Sequence, residues 1–144
     1  MAALTDFAEN RAVDAILRGQ ALGAPTTWHV ALYTTAPTDA GGGVEVSGGG
    51  YARVAVPASL VAWAGTQGAG TTVASNGAGG LTSNNTAIAF PTPTAPWGTV
   101  VAFGLFGAAT GGDLWIHAAL GTARVIGTGD GVSFAPAALT VQFA

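Results

Sequence analysis

The sequence predicts a mainly β protein: a single antiparallel β-sandwich of jelly-roll type over residues 21–144, preceded by one amphipathic α-helix within residues 1–20. Three observations carry that prediction. From Thr27 onward, stretches with apolar residues at every second position recur at short spacing, bounded by clusters of Gly, Pro, Asn and Thr; this is the pattern of half-buried strands. Only the first stretch keeps a helical period. A chain of 144 residues also fits one core, burying roughly two-thirds of the surface that its unfolded form exposes.

The helix falls over residues 5–18, which hold five of the eleven charges. Asp6 is placed to cap the first turn, Glu9 reaches back from three positions later, and Gly19 offers a stop. Phe7, Val13, Ile16 and Leu17, with Leu4 and Ala12, fall near one face. That stripe packs either on its own domain or, as an anchor, on a neighbouring subunit.

The first β pair is Thr27 to Val56. Trp28, Val30 and Leu32 alternate with His29, Ala31 and Tyr33; Tyr51, Arg53 and Ala55 alternate with Ala52, Val54 and Val56. Between them lie Pro37, Asp39, Gly41 to Gly43 and Gly48 to Gly50, so the connection is a built loop or flap, not a tight hairpin. Ser59 to Trp63 extends or follows the second strand. Gly65 to Gly80 loses periodicity and reads as a surface loop, within which Thr71 to Ala74 can pair briefly. Leu81 to Phe90 alternates again until Pro91, Pro93 and Pro96 end it.

Thr99 to Phe106 and Leu114 to Leu120 form a hairpin around Thr110, Gly111 and Gly112. Both strands are apolar on two sides, as in a sheet whose outer face is also covered. Ala123 to Ile126, Val132 to Phe134 and Leu139 to Phe143 supply three more short strands, the first two separated by a glycine turn holding Asp130.

Charged residues make up 8% of the chain against 49% hydrophobic, with four Arg and no Lys. Soluble domains average about a quarter charged. Either other protein covers much of this surface, or a GC-rich coding sequence favours Ala, Gly, Pro and Arg. A net charge of −3 with scattered arginines offers phosphates no basic stripe, so nucleic acid is not an expected partner. No apolar run is long enough to span a bilayer and no export signal precedes the first helix, so the expectation is synthesis in a cytoplasm and no membrane partner.

Nothing in the chain assembles a catalytic set, and no cofactor or metal is expected. Cysteine and lysine are absent, and neither His29 nor His117 has a second ligand at metal spacing. Both histidines read as strand residues with satisfied hydrogen bonds. Asp113 and Asp130 lie at glycine turns, where carboxylates accept backbone N–H bonds. Asp39, Glu45 and Asp130 match no calcium loop, and ion pairs with Arg53 or Arg124 are their simpler fate. The glycine runs lack the lysine of a phosphate loop, and Asn84-Asn85-Thr86 is a chance glycosylation triplet. The four tryptophans read mostly as core anchors; Trp63 and Trp97 become partner or glycan contacts only if exposed.

Four segments then combine. LTDFAENRAVDAILRG, WHVALYTTAPTDAGGGVEVSGGGYARVAV, SNNTAIAFPTPTAPWGTVVAFGLFGAATGGDLWIHAAL and GDGVSFAPAALTVQF together resemble a family of small tailed-bacteriophage virion proteins described as tail-fibre or minor structural proteins. Its most specific parts here are Glu45 to Arg53, Phe90-Pro91 with Trp97 to Val100, and Gly129 to Val141.

The resemblance implies a non-catalytic role on a phage particle, made in the bacterial host cytoplasm and carried on the virion. The leading expectation is a self-associating subunit on the particle exterior, a capsid decoration or cement protein or a head fibre, whose partners are itself and other virion proteins such as major capsid or tail proteins. The alternative is a tail-fibre or host-receptor module that binds a surface glycan. Candidate interaction residues are Phe7 and Val13 on the helix, Gly48, Gly49, Gly50, Tyr51 and Arg53 along the glycine-rich arm, and Trp63 and Trp97 beside loops.

Overall fold

The computed structural model describes residues 2–143. Along the chain it places β1 (Ala3–Leu4), α1 (Asp6–Leu17), β2 (Thr27–Thr35), β3 (Val44–Glu45), β4 (Val54–Pro57), β5 (Leu81–Ser83), β6 (Ile88–Ala89), β7 (Gly98–Phe106), β8 (Leu114–Ile126), β9 (Ser133–Phe134) and β10 (Thr140–Gln142). Six of the strands form one antiparallel sheet in the order β1-β8-β7-β2, with β3 and β4 sharing the outer edge of β2.

The predicted hairpin is the centre of this sheet, with Phe106 facing Leu114. β8 does not stop at Leu120: it runs through Gly121, and Arg124, Val125 and Ile126 pair with Val100, Thr99 and Gly98. The segment expected as a separate strand at Ala123 is the far end of β8, because β7 is long enough to give it a backbone partner.

One face of the sheet packs on two antiparallel ribbons, β5 with β10 and β6 with β9. Val30, Leu32, Val100, Phe103, Leu105 and Ile116 from the sheet share a core with Ile88, Phe90, Phe134, Leu139 and Val141. The arrangement is sandwich-like and mainly β with a single helix, its second layer being two ribbons and not the four-stranded sheet of a regular jelly roll.

A buried amide causes the interruption. Asn84, 1% exposed, splits the expected Leu81 to Phe90 strand: its Nδ2 donates to the Thr86 and Ala135 carbonyls and its Oδ1 accepts from the Leu139 N–H. Backbone bonds from Asn84 N–H to the Leu139 carbonyl and from Ala137 N–H to the Asn84 carbonyl close the same knot.

The other face carries Ala31, Tyr33, Ala102, Phe106 and Leu114, all buried under loops and not under a second sheet. Gly104 makes that face possible. A Cβ there would come within 2.7 Å of Leu114 Cδ1 and 2.9 Å of Tyr33 Cε2.

Thr5, not Asp6, caps the helix. Thr5 Oγ1 accepts from the Ala8 N–H and donates to the Leu114 carbonyl at 2.6 Å, while its own N–H donates to the Trp115 carbonyl. The pairing of β1 with β8 requires the chain to leave the sheet at Thr5, and the residue at the exit becomes the cap. Past the first turn the larger apolar side chains of the stripe are left more than half exposed: Val13 51%, Ile16 79% and Leu17 78%.

The loop after β4 is irregular, as expected, but pinned. Ser59 to Trp63 makes a turn, not a strand extension, and Thr71 to Ala74 forms no strand. Asn85 Nδ2 holds the Val61 and Thr71 carbonyls, and Asn85 Oδ1 accepts from the Gly70 N–H.

Candidate interaction surfaces

The stretch from Val44 to Pro57 is one edge strand with its middle looped out. Tyr33 and Thr35 pair with Glu45 and Val44, and Thr27 to Val30 pair with Pro57 back to Val54. Leu32 lies at the gap in this edge: its carbonyl accepts from the Val46 N–H, and its N–H donates to the Tyr51 hydroxyl at 3.0 Å. A side chain thus replaces the missing main-chain partner.

That hydroxyl donates in turn to Glu45 Oε1 at 2.8 Å, and Arg53 grips the same carboxylate with Nε to Oε1 and Nη2 to Oε2, both at 2.8 Å. The Arg53 side chain is 6% exposed and that of Glu45 26%. Nη1 of Arg53 also donates to the Ala108 and Gly111 carbonyls, and the guanidinium lies 3.6 Å over the Phe106 ring. One arginine therefore ties the edge strand to the β7–β8 loop and lids the outer face.

Burial pushes the Glu45 carboxyl up, but the hydrogen bonds from Arg53 and Tyr51 and the Arg53 charge outweigh it and hold the group below its ordinary value. The bond to Glu45 raises Arg53, which stays charged. Burial, with a smaller push from Glu45, raises Tyr33 to about 12.

Gly48 to Gly50 fill the looped-out segment, all with positive φ. The arm lies on its own chain: the Gly49 carbonyl accepts from Trp97 Nε1 and from the Thr94 N–H, each at 2.9 Å. A Cβ on Gly49 would meet the Ala95 carbonyl oxygen at 2.8 Å. Trp97 is 5% exposed and packs edge-on against Tyr51, so the exposure that would make it a glycan contact is absent. Trp63 is half-buried, donates to the Pro57 carbonyl, and with Trp28 and Phe143 lines a shallow apolar hollow.

Phe7 stands edge-on to Trp115 at 5.3 Å and belongs to the inner side of the helix, whereas Val13 is on the exposed side. The structure therefore gathers Gly49, Tyr51 and Trp97 into one intrachain cluster joined to Arg53 through Glu45, and leaves Val13 and Trp63 elsewhere.

The three acids considered for calcium go separate ways: Asp39 to His117 Nε2 at 3.0 Å, Glu45 to Arg53, and Asp130 Oδ2 to the Gly127 N–H at 2.7 Å. Among the described residues no group of acids and histidines is arranged to hold a metal. Asn84, buried in its knot, offers no glycosylation site.

Sequence reasoning singled out neither Asn84 as a hub nor a cleft of about 430 Å³ lined by Thr5, Asp6, Phe7, Tyr33, Asp39 to Gly42, Phe106 and Gly112 to Leu114. Its walls come from three distant parts of the chain, and no local spacing announces it.

Residues 3–142 match the family model described as podophage GP4 fiber I protein gp80. No curated protein matches the chain.

Proposed function

Since the chain belongs to the podophage GP4 fiber I protein gp80 family, a phage virion fibre-type family, we propose that it is a non-enzymatic structural protein that self-associates on the particle exterior as a capsid decoration or head-fibre subunit. The observation that carries this reading is the bare apolar side of α1, where Val13, Ile16 and Leu17 are each more than half exposed on a chain with only 8% charged residues. Apolar side chains grouped in this way favour cover by protein.

The carboxylates support the non-enzymatic part. Glu45, Asp39 and Asp130 are each already bonded, to Arg53, to His117 and to the Gly127 N–H, and share no common site. The partners are a second copy and a neighbouring virion protein such as a major capsid or tail protein.

Cryo-EM of purified particles, with the copy number of this chain measured against the major capsid protein, tests the location. Hundreds of copies on the head support decoration; a handful at the tail overturn it. One observation favours a second reading, a tail-fibre or host-receptor module: the aromatic hollow of Trp28, Trp63 and Phe143 offers ring faces to a sugar. Adhesion of the purified chain to host cells, lost on Trp63→Ala, would select that reading.

A further inference from the structure

We propose that the cleft between the start of α1, the Asp39 to Gly42 turn and the Gly112 to Leu114 corner is a socket for one cationic side chain, arginine or lysine, of a neighbouring protein. The cleft is built, not incidental. Asp6 N–H donates to the Asp39 carbonyl at 2.8 Å, Thr5 is bonded to the Leu114 and Trp115 carbonyls, and Thr38 and Gly41 exchange backbone bonds that close the turn. Three chain segments are thereby held in fixed relation before any ligand arrives.

The side chain that points to a ligand is Tyr33. It is 3% exposed and lines the cleft, yet its hydroxyl has no hydrogen-bond partner among the described residues. The hydroxyl is not fully sealed, and Tyr33 is among the residues that line the cleft. A tyrosine so deeply placed normally finds a partner. Burial, which lifts the phenol to about 12, keeps it neutral and able to accept a hydrogen bond.

The walls then select the ligand. Asp6 and Asp113 bring carboxylates to the lining, Asp39 shares its own with His117, and no lysine or arginine is among the lining residues. The N–H of Asp6 is already spent on Asp39. The Asp6 and Asp113 carboxylates and the neutral Tyr33 hydroxyl fit a group that donates and carries positive charge: a guanidinium or an ammonium. A metal is disfavoured because the acids are not grouped as ligands.

The cation has to come from another molecule. This chain has no lysine; Arg53 is committed to Glu45, Arg18 to Asp14, Arg11 lies over Phe7 and Trp115, and Arg124 is on β8 opposite Val100. The inference requires no particular place on the particle, so it stands or falls separately from the decoration reading.

The test is an NMR titration of the ¹⁵N-labelled chain with Nα-acetyl-arginine methylamide, its neutral isostere Nα-acetyl-citrulline methylamide, and glucose. The arginine probe is expected to shift the Gly41, Gly42 and Gly112 amides saturably and to bind roughly tenfold more tightly than citrulline, as a charge-assisted bond requires. Asp113→Asn and Tyr33→Phe, which remove an exposed carboxyl and an unpaired hydroxyl, should each weaken the arginine probe at least about threefold without moving the unfolding midpoint. Equal binding of citrulline, shifts produced by glucose instead, cleft amides that do not move, or variants that titrate like the parent each overturn the proposal.

Discussion

The Tyr51 hydroxyl accepts the hydrogen bond of the Leu32 main-chain N–H at 3.0 Å and so closes the gap between two halves of an interrupted edge strand. Tyr51→Phe keeps the ring against Phe90 and Trp97 but removes that acceptor, along with a donor to Glu45. Leaving a sheltered N–H unpaired costs about 1–3 kcal/mol. Urea unfolding should show a lower midpoint with an unchanged slope; a variant as stable as the parent would mean that water serves Leu32 equally well.

The Glu45–Arg53 pair sets an acid limit. Because the folded carboxyl titrates below the unfolded value of about 4.3, its contribution is whole above that pH and is lost as pH falls through the folded value. Thermal melts from pH 7 down to pH 3 should therefore lose stability at the acid end, and Glu45→Gln should flatten that slope while lowering stability at pH 7. Arg53→Lys does not rescue Arg53→Ala, since an ammonium cannot hold both carboxylate oxygens, two loop carbonyls and the Phe106 face together. Equal midpoints for the two arginine variants would support this; recovery by lysine would reduce the site to a point charge.

What was legible in the residues was local or periodic. The β7–β8 hairpin announces itself because alternation and its glycine turn lie within one continuous stretch; an ion pair with Arg53 or Arg124 is expected for Asp39, Glu45 and Asp130, and only Glu45 makes one, with Arg53. Asn84 was not legible: its partners Ala135 and Leu139 are 51 and 55 positions away, and an asparagine in a polar run looks like a turn. The cap went to Thr5 and not Asp6 because the choice depends on where β1 leaves β8, a tertiary fact. The glycine arm is expected as a built loop offering contacts to a partner; Gly48 to Gly50 all have positive φ, and the intrachain groups it lies against, Thr94 and Trp97, appear only once the chain is folded.

The arm predicts an ordered pair of effects. Gly48→Ala places its methyl in open space and bears only the positive-φ cost, about 1–2 kcal/mol. Gly49→Ala bears the same cost and also drives a methyl to 2.8 Å from the Ala95 carbonyl oxygen and 3.0 Å from the Trp97 ring, adding about 1–3 kcal/mol of overpacking. Calorimetry should rank Gly49→Ala well below Gly48→Ala. Indistinguishable melting points would detach the arm from the domain's own stability.

Asn84→Ala should be among the most damaging single changes. It strands the buried Leu139 N–H and the Thr86 carbonyl, while the Ala135 carbonyl keeps its bond from the Ala138 N–H, and a buried unpaired group costs about 1–3 kcal/mol. Asn84→Asp separates shape from chemistry, because a carboxylate still accepts from Leu139 but cannot donate to Thr86 or Ala135. Hydrogen exchange is expected to quicken first in β5 and β10, whose pairing the knot anchors; uniform quickening across the large sheet instead would assign Asn84 to the core as a whole.

The helix separates folding from assembly. Ile16 and Leu17 are 79% and 78% exposed, and the buried contacts of α1 come from its first turn, through Ala8 and the Phe7–Trp115 edge contact. Replacing both Ile16 and Leu17 by serine removes apolar surface already open to solvent, so the isolated chain should unfold within about 0.5 kcal/mol of the parent per site. If this side of α1 is the self-association surface, light scattering should show the parent shifting to higher mass with concentration and the double variant remaining monomeric. Phe7→Ala supplies the contrast: it removes the T-shaped contact with Trp115 and should lower stability by about 3 kcal/mol, whatever its effect on mass. A double variant that still associates like the parent would transfer the interface to another face, and one that unfolds would show that the stripe is required by the fold itself.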